Sequence, residues 1–182
     1  MTRALLIIDV QQGLCEGEGA AWDCGNLIAR INRVAAHARA SGVPVVFIQH
    51  EDATELVLGS RAWQLVDGLL AEADDLYVRK TTPDSFLRTD LQALLSARGV
   101  SELIVCGMHT EFCVDTTTRR ALALGYPVTL VADAHTSAGN AALAPQQVIA
   151  HHNATLTNIS SFGPRVRAVN CDDLLANWVV SA

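Results

Sequence analysis

No CxxC pair occurs among the five cysteines, Cys15, Cys24, Cys106, Cys113 and Cys171, and their odd number argues against a disulfide framework or a structural zinc site. Reduced thiols are expected. No apolar stretch approaches the roughly 20 residues that a membrane-crossing helix needs, and Met1-Thr2-Arg3 leads straight into a strand-like run rather than a signal peptide. The expectation is a cytoplasmic protein with no membrane partner. Basic clusters are missing as well. The 13 Lys and Arg face 19 Asp and Glu for a formal net charge of −6, which argues against nucleic acid as a partner. Repeats, low-complexity tracts and linkers are also lacking. What remains is a chain of 182 residues, 50% hydrophobic, suited to one core and one domain over residues 1–182.

Strand-like and helix-like segments alternate along this chain, the pattern of an α/β fold with a parallel sheet and helices on both faces. Ala4 to Ile8 is a continuous apolar run that stops at Asp9. Asn26 to Ala40 carries Leu27, Ile28, Ile31, Val34, Ala35 and Ala38 at helical spacing and is closed by Gly42 and Pro44. Val45 to Ile48 and Leu76 to Arg79 read as strands, the second followed by Lys80 and a proline-punctuated loop. Thr89 opens a helix to about Ala97 with Gly99 as its stop. Leu103 to Cys106 is a buried strand, and Thr110 is a candidate N-cap for the helix that runs through Cys113 to about Leu124. Thr116, Thr117 and Thr118 are poor helix formers, so packing must hold that helix. Val128 to Val131 is a fifth strand, Pro145 suits the first turn of a helix through His152, Thr155 to Ile159 reads as a sixth strand, and a last helix starts near Asn170.

Three residues lie where strands give way to loops or helices. Ligands of open parallel sheets bind beyond the carboxyl ends of the strands, so Asp9, Lys80 and Cys113 would converge there. A thiol in the first turn of a helix faces the positive end of the helix dipole, which favours its thiolate and makes Cys113 a candidate nucleophile. Each residue alone has an ordinary explanation. An Asp at a strand end commonly turns the chain, a Lys commonly sits in solvent and a Cys commonly fills a small apolar gap.

In order and spacing, Leu6-Ile7-Ile8-Asp9-Val10-Gln11, Lys80-Thr81 with Ser85-Phe86, and Gly107 through Thr118 resemble the isochorismatase-like cysteine hydrolases, relatives of nicotinamidase and N-carbamoylsarcosine amidohydrolase. Ala132-Asp133-Ala134-His135 and Ile149 through Ala154 are similar to that family's later segments. The resemblance implies a three-layer α/β/α sandwich on a mostly parallel, six-stranded Rossmann-like sheet, assembled as a homo-oligomer, a dimer or tetramer. It implies that Asp9, Lys80 and Cys113 form a catalytic triad, with a cis peptide between Met108 and His109. The backbone N–H groups of His109 and Cys113 would then form an oxyanion hole. Asp9 would take the thiol proton, Lys80 would balance the charges, and Cys113 would attack an electrophilic carbon. The implied reaction is cysteine-dependent hydrolysis of a small-molecule C–N bond, in an amide, carbamoyl group or lactam, through a covalent thioester and without a cofactor. A redox-reactive thiol protein and a non-catalytic binding member of the fold are the alternatives. Nicotinamidases bind a metal through an Asp and several His after the second strand; here Gln49 to Glu55 offers only His50, so no metal site is expected. Gln11, Leu14, Trp22, Trp63 and Phe112 are the candidate walls of the substrate pocket.

Overall fold

The continuous apolar runs become the central strands of one sheet. The computed structural model describes residues 2–178, so both ends of the expected 1–182 domain, residue 1 and residues 179–182, lie outside the described residues. In chain order the elements are β1 (Arg3–Ile8), α1 (Gln12–Cys15), α2 (Cys24–Ala40), β2 (Val45–His50), β3 (Leu76–Lys80), α3 (Leu91–Ala97) and β4 (Glu102–Met108). A π-helical turn (Thr110–Val114) then runs directly into α4 (Asp115–Ala123), followed by β5 (Val128–Thr136), α5 (Pro145–Asn158), β6 (Val166–Val169) and α6 (Cys171–Ala176).

Every strand pairing is parallel, in the order β3-β2-β1-β4-β5-β6. A strand covered on both faces must be apolar on both, and alternate residues of β1 do enter different cores. Ala4, Leu6 and Ile8 pack with Leu91 and Leu95 of α3, Ala121 and Leu122 of α4, and Leu156 of α5. Leu5 and Ile7 pack with Leu27, Ile31, Val34, Ala35 and Ala38 of α2 and with Leu174 of α6. The molecule is therefore a three-layer α/β/α sandwich on an entirely parallel sheet. Each fully buried Leu or Ile in these layers contributes about 1.5–3 kcal/mol.

Topology decides where a ligand can sit. The chain winds outward from β1 through β2 to β3, then returns to β4 beside β1 and winds outward the other way, so the crevice opens beyond the carboxyl ends of β1 and β4. These strands run in register from Arg3 opposite Glu102 to Ile8 opposite Gly107. Gly107 has φ +119°, and a Cβ there would lie 2.1 Å from the Ile8 carbonyl oxygen. Only glycine lets β4 pass this close to β1 at the mouth of the crevice.

One expected strand is a helix. Thr155 to Ile159 does not form the sixth strand; α5 continues to Asn158, well past His152, and β6 is Val166–Val169 instead. The threonines suggested a strand because they are β-branched, but Val148 and Leu156 fall on one helical face and are buried. Thr157 Oγ1 donates back to the Asn153 carbonyl at 2.8 Å, so its hydroxyl is satisfied inside the helix.

Candidate active site

The sheet brings Asp9, Lys80 and Cys113 together from three different strand ends. Asp9 follows β1 with φ +52°, a left-handed conformation that Asp tolerates better than most side chains. Its N–H donates to the Ile48 carbonyl at 2.8 Å and its carbonyl accepts from Gln11 N at 2.9 Å, which fixes the turn. Lys80 is the last residue of β3 and pairs in register with His50, the last of β2. Cys113 lies in the π-helical turn after β4, and the Met108–His109 peptide that precedes this turn is cis.

Thr110 does not act as a side-chain cap. His109 occupies the cap position, and the Thr110 hydroxyl is bonded to His135 Nδ1 at 2.8 Å. The His109 backbone N–H finds no acceptor among the described residues.

One ammonium serves the whole cluster. Lys80 Nζ lies 2.6 Å from Asp9 Oδ2, 3.2 Å from Cys113 Sγ and 3.3 Å from His50 Nδ1, and the Lys80 side chain is completely buried. An ammonium only donates, so His50 Nδ1 accepts and the ring proton sits on Nε2. Burial lowers the His50 pKa, and the neighbouring Lys80 charge adds to that, so the ring is neutral. Asp9 is buried, and its second oxygen, Oδ1, has no hydrogen-bond partner among the described residues.

The thiol departs from the sequence expectation. Burial, and next the Asp9 carboxylate, push the Cys113 pKa up to about 12, while Lys80 pulls the other way. The dipole of one short turn does not overcome these two effects, and the resting group is the thiol. Its proton must leave as it reacts, and Asp9 is the adjacent base.

Asp9, His50 and Cys113 also present metal-ligand atoms within 4.8 Å of one another. The Lys80 ammonium stands among them, in contact with all three. These donors are arranged around a resident cation, and a metal ion would have to displace it.

A cavity of about 240 Å³ opens over the cluster. Asp9, His50, Cys113 and His109 form its base, with Leu14, Phe112 and Pro83 as walls and Asp52, Glu55 and Leu56 along one side. Of the wall residues expected from sequence, the structure brings Leu14 and Phe112 to this cavity and not Gln11, Trp22 or Trp63. Gln11 is fully buried and tethers loops: Nε2 donates to the His50 and Trp63 carbonyls at 3.0 and 2.7 Å, and Oε1 accepts from His50 N at 2.9 Å. Trp63 contributes its carbonyl to that tether. Trp22 faces a separate cleft with Arg30, Asp133 and His135. Cys15 also turns away from the cavity, and its thiol contacts that of Cys24. Another cleft, of about 520 Å³, is lined by residues that include Arg39, Pro44, Asp75 and Arg98, with no cysteine or histidine among them.

Surrounding bonds hold these groups in place. Thr117 of α4 bonds Ser85 N at 3.2 Å, Ser85 Oγ at 2.7 Å and the Pro83 carbonyl at 3.3 Å, tying down the loop that follows Lys80. Behind the His109 turn, Asn153 Nδ2 donates to the Ala132 carbonyl, which aims Oδ1 at His135 Nε2, 3.0 Å away. His135 Nε2 therefore carries the ring proton and Nδ1 accepts from Thr110. The sequence reading missed Asp52 and Glu55 as cavity residues and weighed His50 only as a metal ligand. It also overlooked that Lys80 is the one lysine in the chain, a signal that was available.

Comparison with known proteins gives a consistent set. The isochorismatase domain family matches residues 3–161. The chain is 39% identical over 135 residues to a streptothricin hydrolase of Streptomyces noursei, covering 73% of this chain and 49% of that protein. With a second streptothricin hydrolase of that organism the covered share is 54%, so the chain spans about half the length of these relatives. It is 31% identical over 199 residues to the ureidoacrylate amidohydrolase of Methylobacterium radiotolerans, covering 88% of this chain and 74% of that one. Among solved structures, an isochorismatase family protein superimposes with a TM-score of 0.84 at 35% identity, covering 91% of this chain and 98% of the other.

Proposed function

Because this chain belongs to the isochorismatase family, we propose that it hydrolyses the C–N bond of a small non-peptide amide, carbamoyl compound or lactam through a thioester on Cys113. The observation that carries this reading is the shared ammonium, with Lys80 Nζ within 3.2 Å of both Asp9 Oδ2 and Cys113 Sγ beneath an open cavity.

The chemistry follows from the charges. Asp9 Oδ1 has no other partner and takes the Cys113 proton as sulfur attacks the carbonyl carbon. Lys80 stays charged throughout and stabilises the thiolate as it forms. The carbonyl oxygen becomes an oxyanion opposite the unpaired His109 N–H, with the Cys113 N–H as the second donor; each such donor is worth about 3–4 kcal/mol. Collapse breaks the C–N bond, and the amine leaves with the proton held by Asp9. Water then gives its proton to Asp9 and attacks the thioester, which releases the acid and returns the proton to sulfur. Oxidation chemistry fits this thiol poorly, since burial and Asp9 raise its pKa and no second cysteine lines the cavity.

The test is acid-quenched intact mass spectrometry during turnover of a panel of small amides, ureido acids and lactams. An acyl adduct on Cys113, absent together with turnover in Cys113→Ala, is the expected result. Turnover that survives in Cys113→Ala would overturn the mechanism, and a wild-type protein that binds these amides without turning any of them over would favour a non-catalytic role.

A further inference from the structure

The cavity over Cys113 is not balanced in charge. Asp9 and Lys80 neutralise one another at 2.6 Å, the thiol is uncharged, and burial keeps His50 and His109 neutral. Asp52 and Glu55 remain. Neither forms an ion pair among the described residues, and Arg79, the basic residue just before Lys80, faces Glu51 instead at 3.6 Å.

Asp52 is held rigidly as well as exposed. Its Oδ1 accepts from the backbone N–H groups of Thr54, Glu55 and Leu56 at 2.7, 2.7 and 3.1 Å and from the Thr54 hydroxyl at 3.2 Å. The first two backbone bonds contribute most to holding the carboxyl near pKa 2, so it is anionic wherever the enzyme would work. Oδ2 makes no bond within the described residues. Two acidic side chains on a loop would ordinarily be solvated surface. These two share a concave cavity with Asp9, which is 1% exposed and whose Oδ1 is also partnerless. Leu14, Leu56 and Phe112 supply an apolar surface in the same cavity.

We infer that the site takes an amide bearing a second, protonated amino group, with Asp52 and Glu55 as the counter-charges for that ammonium. The inference rests on the hydrolase reading above and narrows its substrate class. The amide carbon sits over Cys113, an aliphatic linker lies against Leu14, Leu56 and Phe112, and the ammonium reaches the acidic side of the cavity. Fixed charge in a concave site raises the local concentration of the oppositely charged substrate and repels an anionic one.

The experiment compares three near-isosteric amides: cationic 4-aminobutanamide, neutral pentanamide and anionic succinamate, with longer ω-aminoalkanamides to find the best reach. The wild-type kcat/KM should follow cation, neutral, anion, with about a tenfold cation-to-neutral ratio at low ionic strength that shrinks as salt is added. In Asp52→Asn/Glu55→Gln that ratio should fall to about one, since the amides carry no charge while Asn keeps the oxygen that closes the 52–56 turn. A wild-type enzyme that ignores charge, or a ratio unmoved in the double variant, overturns the inference and leaves the hydrolase reading intact. If neither these amides nor the wider panel of ureido acids and lactams turns over, the hydrolase reading fails instead. Calorimetric titration of Cys113→Ala with the same three compounds then decides the inference alone. Preferential binding of the cation, abolished by adding the two loop substitutions, supports it; equal binding or no binding of the three overturns it.

Discussion

A thiol and a carboxylate share a single ammonium at the base of the cavity, and the state of each depends on the other two. With the Cys113 pKa near 12, its alkylation by iodoacetamide should keep accelerating as pH rises past 9, the ordinary thiol value. Cys24 should behave oppositely. The hydrogen bond from Cys15 lowers its pKa, so it should be labelled first near neutral pH and level off below pH 9. Peptide mapping of each cysteine against pH is the measurement, and a Cys113 rate that levels off below pH 9 would show a thiolate-poised nucleophile. The Asp9–Lys80 pair is buried on both sides, so Lys80→Met leaves an uncompensated carboxylate and should cost about 3–5 kcal/mol by denaturant unfolding. Adding Asp9→Asn should recover most of that stability and none of the turnover, because the lost charge pair is needed for chemistry rather than for the fold. Asp9, Lys80 and Cys113 were legible in the sequence because each ends or follows a strand within a recognisable motif. Asp52 and Glu55 were not, since residues 51–75 form no helix or strand and no periodicity marks which of them line the cavity.

At the scale of elements, the helix behind Cys113 and the loop behind Lys80 are joined through one threonine. Thr117 is fully buried, and in Thr117→Val the Ser85 N–H and hydroxyl lose their partner. That loss should cost about 1–3 kcal/mol. It should also lower kcat more than it changes KM, because the loop holds Lys80 and does not form the cavity's acidic side. A KM effect with kcat unchanged would show that the loop acts in substrate binding instead. The sequence reading anticipated a helix held by packing from its three adjacent threonines, and Thr117 supplies the specific bonds. Strands β1, β2, β4 and β5 were legible for a similar reason: burial on both faces demands uninterrupted apolar residues. Thr155 to Ile159 was misread because β-branched content is a local preference, whereas the burial of Leu156 against the sheet is a tertiary effect. The π-helical turn was invisible too, since no residue pattern distinguishes it from the first turn of an α-helix.

At the scale of the whole molecule, the reversal of winding direction at β1 and β4 makes a crevice out of residues far apart in sequence, and buried polar groups behind that crevice couple it to the stability of the fold. Alternation of elements could suggest a parallel sheet, but it could not fix the strand order; close passage at Gly107 and the pairings on either side of β1 do that. His135 shows the consequence. It ends its contacts on Thr110 and Asn153, and burial, the largest effect, lowers its pKa from 6.5 to about 4. The unfolded chain therefore binds a proton that the folded one refuses between those two values, so folding stability must fall as pH is lowered through that window. A shift of this size corresponds to on the order of 3 kcal/mol for His135. His50 and His109 act in the same direction, because burial lowers both of their pKa values. The carboxyl of Asp52, held near 2, loses its proton-free state only at lower pH, so its effect is separable. Denaturant unfolding from pH 7 to pH 4 should show this decline, and His135→Gln should flatten it by most of the His135 share while being less stable at pH 7. A variant whose acid slope matches wild type would mean that His135 takes up its proton in the folded state at its ordinary pKa, and that the Thr110–His135–Asn153 chain does not keep the ring neutral.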